Sequence, residues 1–266
     1  MFGTFKRHWP EYLMEAAGLG IFMMSACLFT ALLVYPASPV QQAIDSPLLR
    51  RVFIGVAMGL TAVGVIFSPW GKQSGAHINP SVTLAFYRLG KIAPWDAFFY
   101  IMFQFAGALA GVLLAVLLLG QVISAKSVNY VVTIPGPSGQ WVAFLAEVVI
   151  SFGLMMMVLV VTNTRHLARY TGLFAGAVVA LYISVEAPLS GMSMNPARTF
   201  GSALPANLWT GLWIYFIAPP LAMLLAAELY LRVKTVDQVI CAKLHHTNDK
   251  RCIFRNCGYK TNERRD

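Results

Sequence analysis

At 266 residues, with 58% hydrophobic and only 12% charged side chains, the chain carries too little charge for an ordinary soluble enzyme and reads as a membrane protein. The formal net charge of +9 raises nucleic acid as a partner, but Lys and Arg lie in short segments between apolar stretches. That is the distribution that sets membrane topology, so no nucleic acid is expected.

Six long apolar stretches predict membrane-spanning helices at 11–35, 48–67, 93–120, 141–162, 171–186 and 208–233. Residues 1–10 precede the first and 121–140, with Pro135-Gly136-Pro137, form an external connecting loop. Residues 234–266 form a basic tail. If the amino terminus is inside, Lys6, Arg7, Lys72, Arg88, Lys91, Arg165, Arg169 and the tail are inside as well, and only Arg50, Arg51 and Lys126 are outside. This bias predicts that both termini face the cytoplasm, with the plasma membrane as the expected location. No signal-peptide cleavage site is read, so the first stretch is expected to stay as a helix. Gly55 and Gly59, Gly107 and Gly111, and Gly172 and Gly176 stand four apart, a spacing that lets helix backbones approach closely in lipid.

Two further apolar stretches, 79–89 and 195–204, are too short to cross. About ten residues of helix reach roughly 15 Å, half of a roughly 30 Å hydrocarbon core. Each follows a glycine-containing segment, Ser74-Gly75-Ala76-His77-Ile78-Asn79-Pro80-Ser81 and Ser190-Gly191-Met192-Ser193-Met194-Asn195-Pro196-Ala197. Irregular backbone at that depth is tolerated only where protein surrounds it or it lines a watery cavity, so the pair predicts a polar path. Three full spans in each half, 11–120 and 141–233, make the halves inverted repeats whose broken helices meet at the midplane. The predicted fold is all-α, with six transmembrane helices and two re-entrant half-helices.

Asn before Pro is a helix start, since Asn is a good N-cap and Pro is pre-organised for the first turn. With its oxygen held by first-turn N–H groups, each of Asn79 and Asn195 has its NH2 left to donate to a passing water. A water oxygen that accepts from both turns its hydrogens outward along the file, which interrupts proton relay. Two facing helix amino ends, each with roughly half a positive charge, repel cations. Arg198 stands in the first turn after Asn195, where an Arg costs about 2.5–3.5 kcal/mol at mid-membrane and is functional by default.

The paired Asn-Pro motifs, the Ser-Gly-Ala-His lead-in to the first, the run Asn-Pro-Ala-Arg-Thr-Phe-Gly-Ser-Ala in the second, and matched Glu15 and Glu147 make the chain resemble the aquaporin, or major intrinsic protein, family. The resemblance covers roughly residues 12–232, and a bacterial-type water or small-solute channel is expected. It implies a passive channel for water that excludes protons and ions, with no enzymatic activity and no cofactor. It also implies a homotetramer in the lipid bilayer, each protomer with its own pore. Arg198 would be the selectivity-filter arginine, and the family's spacing puts the other filter positions on Gly59, Ile183 and Met192. Orthodox water channels carry an aromatic and a His at the first two, so a wider, more apolar constriction is expected here. Ser81 replaces the usual Ala, as in some plant relatives that pass boric acid, whereas Thr199, Ala203, Tyr215 and Phe216 follow the water-channel pattern. Water is therefore read first, with glycerol, metalloid acids and hydrogen peroxide as alternative solutes.

Carbonyls of Gly75, Ala76 and His77, and of Gly191, Met192 and Ser193, would form one wall of the path. Glu15 and Glu147, equivalent in the two repeats, are expected to accept from unpaired N–H groups of the loops rather than relay protons. A coupled transporter, the rival class, needs protonatable groups at the midplane that the Asn pair does not supply. In the tail, Cys241, Cys252 and Cys257 stand with His245 and His246 at no standard zinc-finger spacing. The main expectation is a lipid-facing or disordered basic tail without metal. The alternative is a zinc site of Cys241, His245, Cys252 and Cys257. Cys27 reads as packing.

Overall fold

The structure is a computed structural model and describes residues 1–259. Six helical segments are long and apolar enough to span a bilayer: α1 (Phe2–Val34), α2 (Pro47–Phe67), α4 (Pro94–Leu119), α5 (Gln140–Thr162), α6 (Thr171–Val185, together with the turn Ala168–Tyr170 that leads into it) and α8 (Leu212–Val233). Two shorter helices are α3 (Pro80–Arg88) and α7 (Pro196–Ala206), and single turns of helix stand at Pro39–Ala43, Pro69–Ser74, Gln121–Ser124 and Ala187–Ser190. No strand occurs among the described residues.

The packing repeats across the halves. α1 lies on α4 as α5 lies on α8, and α2 of one half packs on α6 of the other. Each short helix crosses over, α3 against α8 and α7 against α4, so neither half encloses a path alone. Close approach explains the spaced glycines: a Cβ on Gly111 would strike the Gly20 backbone, and one on Gly59 would strike the carbonyl of Gly176. Large apolar side chains face outward on the spans, Leu117 being 81% and Leu145 62% exposed, as a lipid-facing surface requires.

α1 begins well before residue 11 because its first turns have partners: Phe5 packs on Phe99 and Phe103, and His8 meets Asp96 at 2.8 Å. α7 runs through Pro205 to Ala206 and is ended by Asn207 in the left-handed region, so α8 begins at Leu212 rather than 208. The termini share one face of the bundle, called here the terminal face. After Val233 the chain turns back across it, and Val239, Ala242 and Phe254 are buried there. The expectation of a lipid-facing or disordered tail is thus corrected for 239–259, while 260–266 lie outside the described residues.

A candidate pore between two re-entrant loops

Both short helices start as their sequences dictate. Asn79 Oδ1 accepts from the Ser81 N–H at 2.8 Å, and Asn195 Oδ1 accepts from the N–H groups of Ala197 at 3.0 Å and Arg198 at 3.2 Å. The amide nitrogens cross over: Asn79 Nδ2 donates to Met194 O at 2.7 Å, and Asn195 Nδ2 donates to Ile78 O at 2.8 Å. One of the two N–H groups on each amide is therefore spent on the opposite loop. The other is left for a permeant, and the loops are locked tip to tip.

Matched side chains hold the loops. Glu15 accepts from Ser74 Oγ (2.7 Å), His77 N (3.0 Å), Ile78 N (2.6 Å) and Gln104 Nε2 (2.8 Å). Glu147 accepts from Ser190 Oγ (2.7 Å), Ser193 N (2.7 Å) and Met194 N (2.8 Å). Tyr100 donates to Ser74 O at 2.6 Å and Tyr215 to Ser190 O at 2.5 Å. Ala76 and Ile78 have φ of 55° and 40°, Met192 and Met194 of 51° and 53°. Left-handed backbone at branched or bulky residues is strained and persists only where surrounding bonds over-determine it. Here the carboxylates do so.

A cavity of about 440 Å³ runs along the loops. Asn79 and Asn195 line it, as do Arg198, Ile183 and Met192 of the expected filter, and Ala76, His77, Gly191 and Ser193 of the expected carbonyl wall. Its walls are otherwise mostly apolar, including Ala62, Leu154, Val158 and Val179. Arg198 is aimed by Val131 O, which accepts from its Nη1 at 2.7 Å. Asn129, Tyr130 and Val131 have φ of 42°, 51° and 51°, so the strained tip of the connecting loop supplies that acceptor. Sequence reasoning missed this, since no motif marks a backbone carbonyl.

A family model described as major intrinsic protein matches residues 5–230. Aquaporin NIP2-1 of Oryza sativa subsp. japonica is 36% identical over 219 residues, 81% of this chain and 71% of that protein. Aquaporin NIP2-1 of Zea mays is 38% identical over 191 residues, 71% of this chain and 62% of the relative, so the matched region spans about two thirds of these proteins. This chain belongs to the major intrinsic protein family. An aquaglyceroporin structure from Plasmodium falciparum shares the fold with a TM-score of 0.73 at 19% identity, covering 86% of this chain and 99% of the other.

Within that family frame some expected site residues fall off the lining. Gly59 does not line the cavity; it meets Gly176 and Ala180 of α6, and α2 instead presents Arg51, Ile54, Met58 and Ala62. The lining residue is Met58, one position before Gly59, so the count along the chain falls one residue off the face of α2 that meets the cavity. Gly75 is also off the lining, its carbonyl accepting from Leu244 N at 3.1 Å. Ser81 is fully buried away from the cavity, and its hydroxyl finds no partner among the described residues.

The tail reaches the same path from the terminal face, where Leu244 is part of the cavity lining. His77 donates or accepts through Nδ1 with Thr83 Oγ1 at 3.1 Å, and its Nε2 donates to Ala242 O at 2.9 Å. Its ring lies between Phe86 and Phe254, with centroids at 5.1 and 5.3 Å. Cys241, Cys252, Cys257 and His246 come together with their ligand atoms within 4.8 Å of one another. The histidine differs from expectation: the His245 ring packs on Phe67 at 4.7 Å, and His246 Nε2 stands 3.0 Å from Cys257 Sγ. Adjacent residues project differently, so sequence could not choose between them. Hydrogen bonds from Cys241, Cys252 and His246 push the Cys257 thiol below its ordinary pKa. Burial pulls His246 down, but its bonds to Cys252 and Cys257 prevail and hold it at about 9.

Proposed function

We propose that the protein is a passive aquaporin-type channel for water and small uncharged solutes that excludes protons and ions. The observation that carries this reading is the crossed pair of Asn amides, each with one N–H tied to the opposite loop and the other free at the cavity. A water oxygen accepting from both would be reoriented at the point where two helix amino ends add positive potential. Arg198, fixed by Val131 O, adds a cation and a donor farther along.

The lining favours a second, wider reading within the same fold. Ile54, Met58, Ile183 and Met192 bring flexible or aliphatic groups where an aromatic and a His would narrow the path, so glycerol-sized or metalloid acids fit beside water. Arg50 and Arg51 at the start of α2 and Lys126 would lie outside, with both termini and the tail on the cytoplasmic side of the plasma membrane. A homotetramer is the proposed assembly. Its surface would come from the exposed apolar faces of the spans.

Proteoliposome shrinkage under an osmotic step tests the reading, with a trapped proton-sensitive dye and with glycerol and boric acid as solutes. Water flux well above that of empty vesicles without proton leak is expected, measured on the full chain and on its Cys252→Ser/Cys257→Ser variant. If neither form exceeds empty vesicles, the channel reading is wrong.

A further inference from the structure

The segment 239–259 buries Val239, residues 241–245, Phe254 and Cys257, yet contains no helix or strand among its described residues. Without regular structure the segment is held by its packing on the bundle and by links between its own points, and a metal is one means of making such links. Its cysteines are free. In the proposed cytoplasmic setting a stable disulfide is disfavoured.

The ligand atoms have the arrangement a tetrahedral soft-metal site needs. Zinc at about 2.3 Å from each thiolate places sulfurs about 3.8 Å apart, and Cys241 Sγ and Cys252 Sγ stand 3.6 Å apart. Cys3His is a closed structural set with no open position, so its use is to cross-link rather than catalyse. The links join three separate points of the tail, at 241, 246 and the pair 252 and 257.

Those points are anchored on opposite sides of the pore mouth. Arg251, beside Cys252, donates to both oxygens of Glu11 in α1 at 2.6 and 2.5 Å. Ile240 N, beside Cys241, donates to Asn163 Oδ1 at the end of α5 at 2.6 Å. Arg255 N donates to Lys91 O at 2.8 Å, next to α3. Between these anchors Leu244 enters the cavity, Ala242 O takes His77 Nε2, and the Phe254 ring covers Gly75, where φ is 99° and a Cβ would lie 2.8 Å from the ring. The first re-entrant loop is thereby closed from the terminal face.

We propose that Cys241, His246, Cys252 and Cys257 bind Zn²⁺, and that the metal holds 239–258 as a lid over the terminal-face mouth of the pore. Loss of the metal frees the lid and opens the channel. The metal site stands on its own geometry; the lid rests on the channel reading.

The two halves are tested separately. Elemental analysis of the purified full chain is expected to give about one zinc per protomer, falling at least tenfold in Cys252→Ser/Cys257→Ser. Co²⁺ replacement should give thiolate charge-transfer and tetrahedral d–d absorption in the wild type and neither in the variant. Absence of stoichiometric zinc together with absence of these bands overturns the site. In proteoliposomes, a high-affinity zinc chelator should raise water flux several-fold, with reversal by added Zn²⁺. Leu244→Ala should raise it with zinc retained. Flux that is the same before and after metal removal, at any level, overturns the lid; silence of every form, chelated included, overturns the channel reading with it, while zinc content still decides the site.

Discussion

The two re-entrant loops are built alike and finished differently. Each has a serine, a left-handed pair, a buried carboxylate, a tyrosine on the serine carbonyl and an Asn cap. The second loop then turns its spare bonds outward, Ser193 bonding Thr199, which in turn bonds Thr133 of the connecting loop, and Arg198 donating to Val131 O. The first turns them toward the tail, through His77 and Gly75. The shared part is what the fold requires. On the proposed function, the unshared part sets selectivity at one mouth and access at the other.

The largest expected effect comes from breaking the shared part. Glu15→Ala or Glu147→Ala leaves two buried backbone N–H groups without an acceptor, at about 1–3 kcal/mol each, and both variants should lose most of their thermal stability in detergent. Glu15 also accepts from Gln104, which has no counterpart at Glu147, so Glu15→Ala should melt lower. Gln at either position retains one acceptor oxygen and should recover part of the loss. Equal melting of the two Ala variants would mean that the Gln104 bond contributes nothing.

Next is the unshared part. Arg198→Ala removes a cation and a large side chain from the second loop, and uptake of glycerol-sized solutes should rise several-fold with water flux retained. An unchanged solute profile would take Arg198 out of the filter. Gly75→Ala and Gly191→Ala compare the loops directly, since both glycines are left-handed, with φ of 99° and 79°, and either change costs about 1–2 kcal/mol in backbone strain. Only at Gly75 does the new Cβ also press on Phe254, so Gly75→Ala alone should loosen the tail, read as faster proteolysis after Val233.

Local rules of strong specificity made much of this legible from sequence. Asn-Pro at 79 and 195 dictated two capped half-helices, and duplicated Glu15 and Glu147 dictated two braced loops, because each signal is contained within a few residues or repeats. Gly59 was harder to place, because a filter position counted along the chain must hit the right face of α2 to the residue, and it is Met58, one position earlier, that lines the cavity while Gly59 packs on α6. Val131 and the tail lid were illegible for another reason: both act through backbone carbonyls or long-range burial, which leave no residue-type signature. Cys241, Cys252 and Cys257 carried a compositional signal, but only packing could select His246 over His245.

The smallest expected effect concerns the one difference between the Asn-Pro motifs themselves, Ser81 against Ala197. Both are completely buried and neither lines the cavity. A buried hydroxyl without a partner carries an uncompensated desolvation cost of about 1–3 kcal/mol, and Ser81 Oγ has none among the described residues. Ser81→Ala should therefore leave stability unchanged or raise it by about 1 kcal/mol, with water, glycerol and boric acid fluxes within error of wild type. Ala197→Ser forces a hydroxyl into the equivalent tight site and should lower stability instead. A changed boric acid flux in Ser81→Ala would show that the hydroxyl acts on the path through the cap of α3, and would make the first motif a determinant of solute choice rather than of fold.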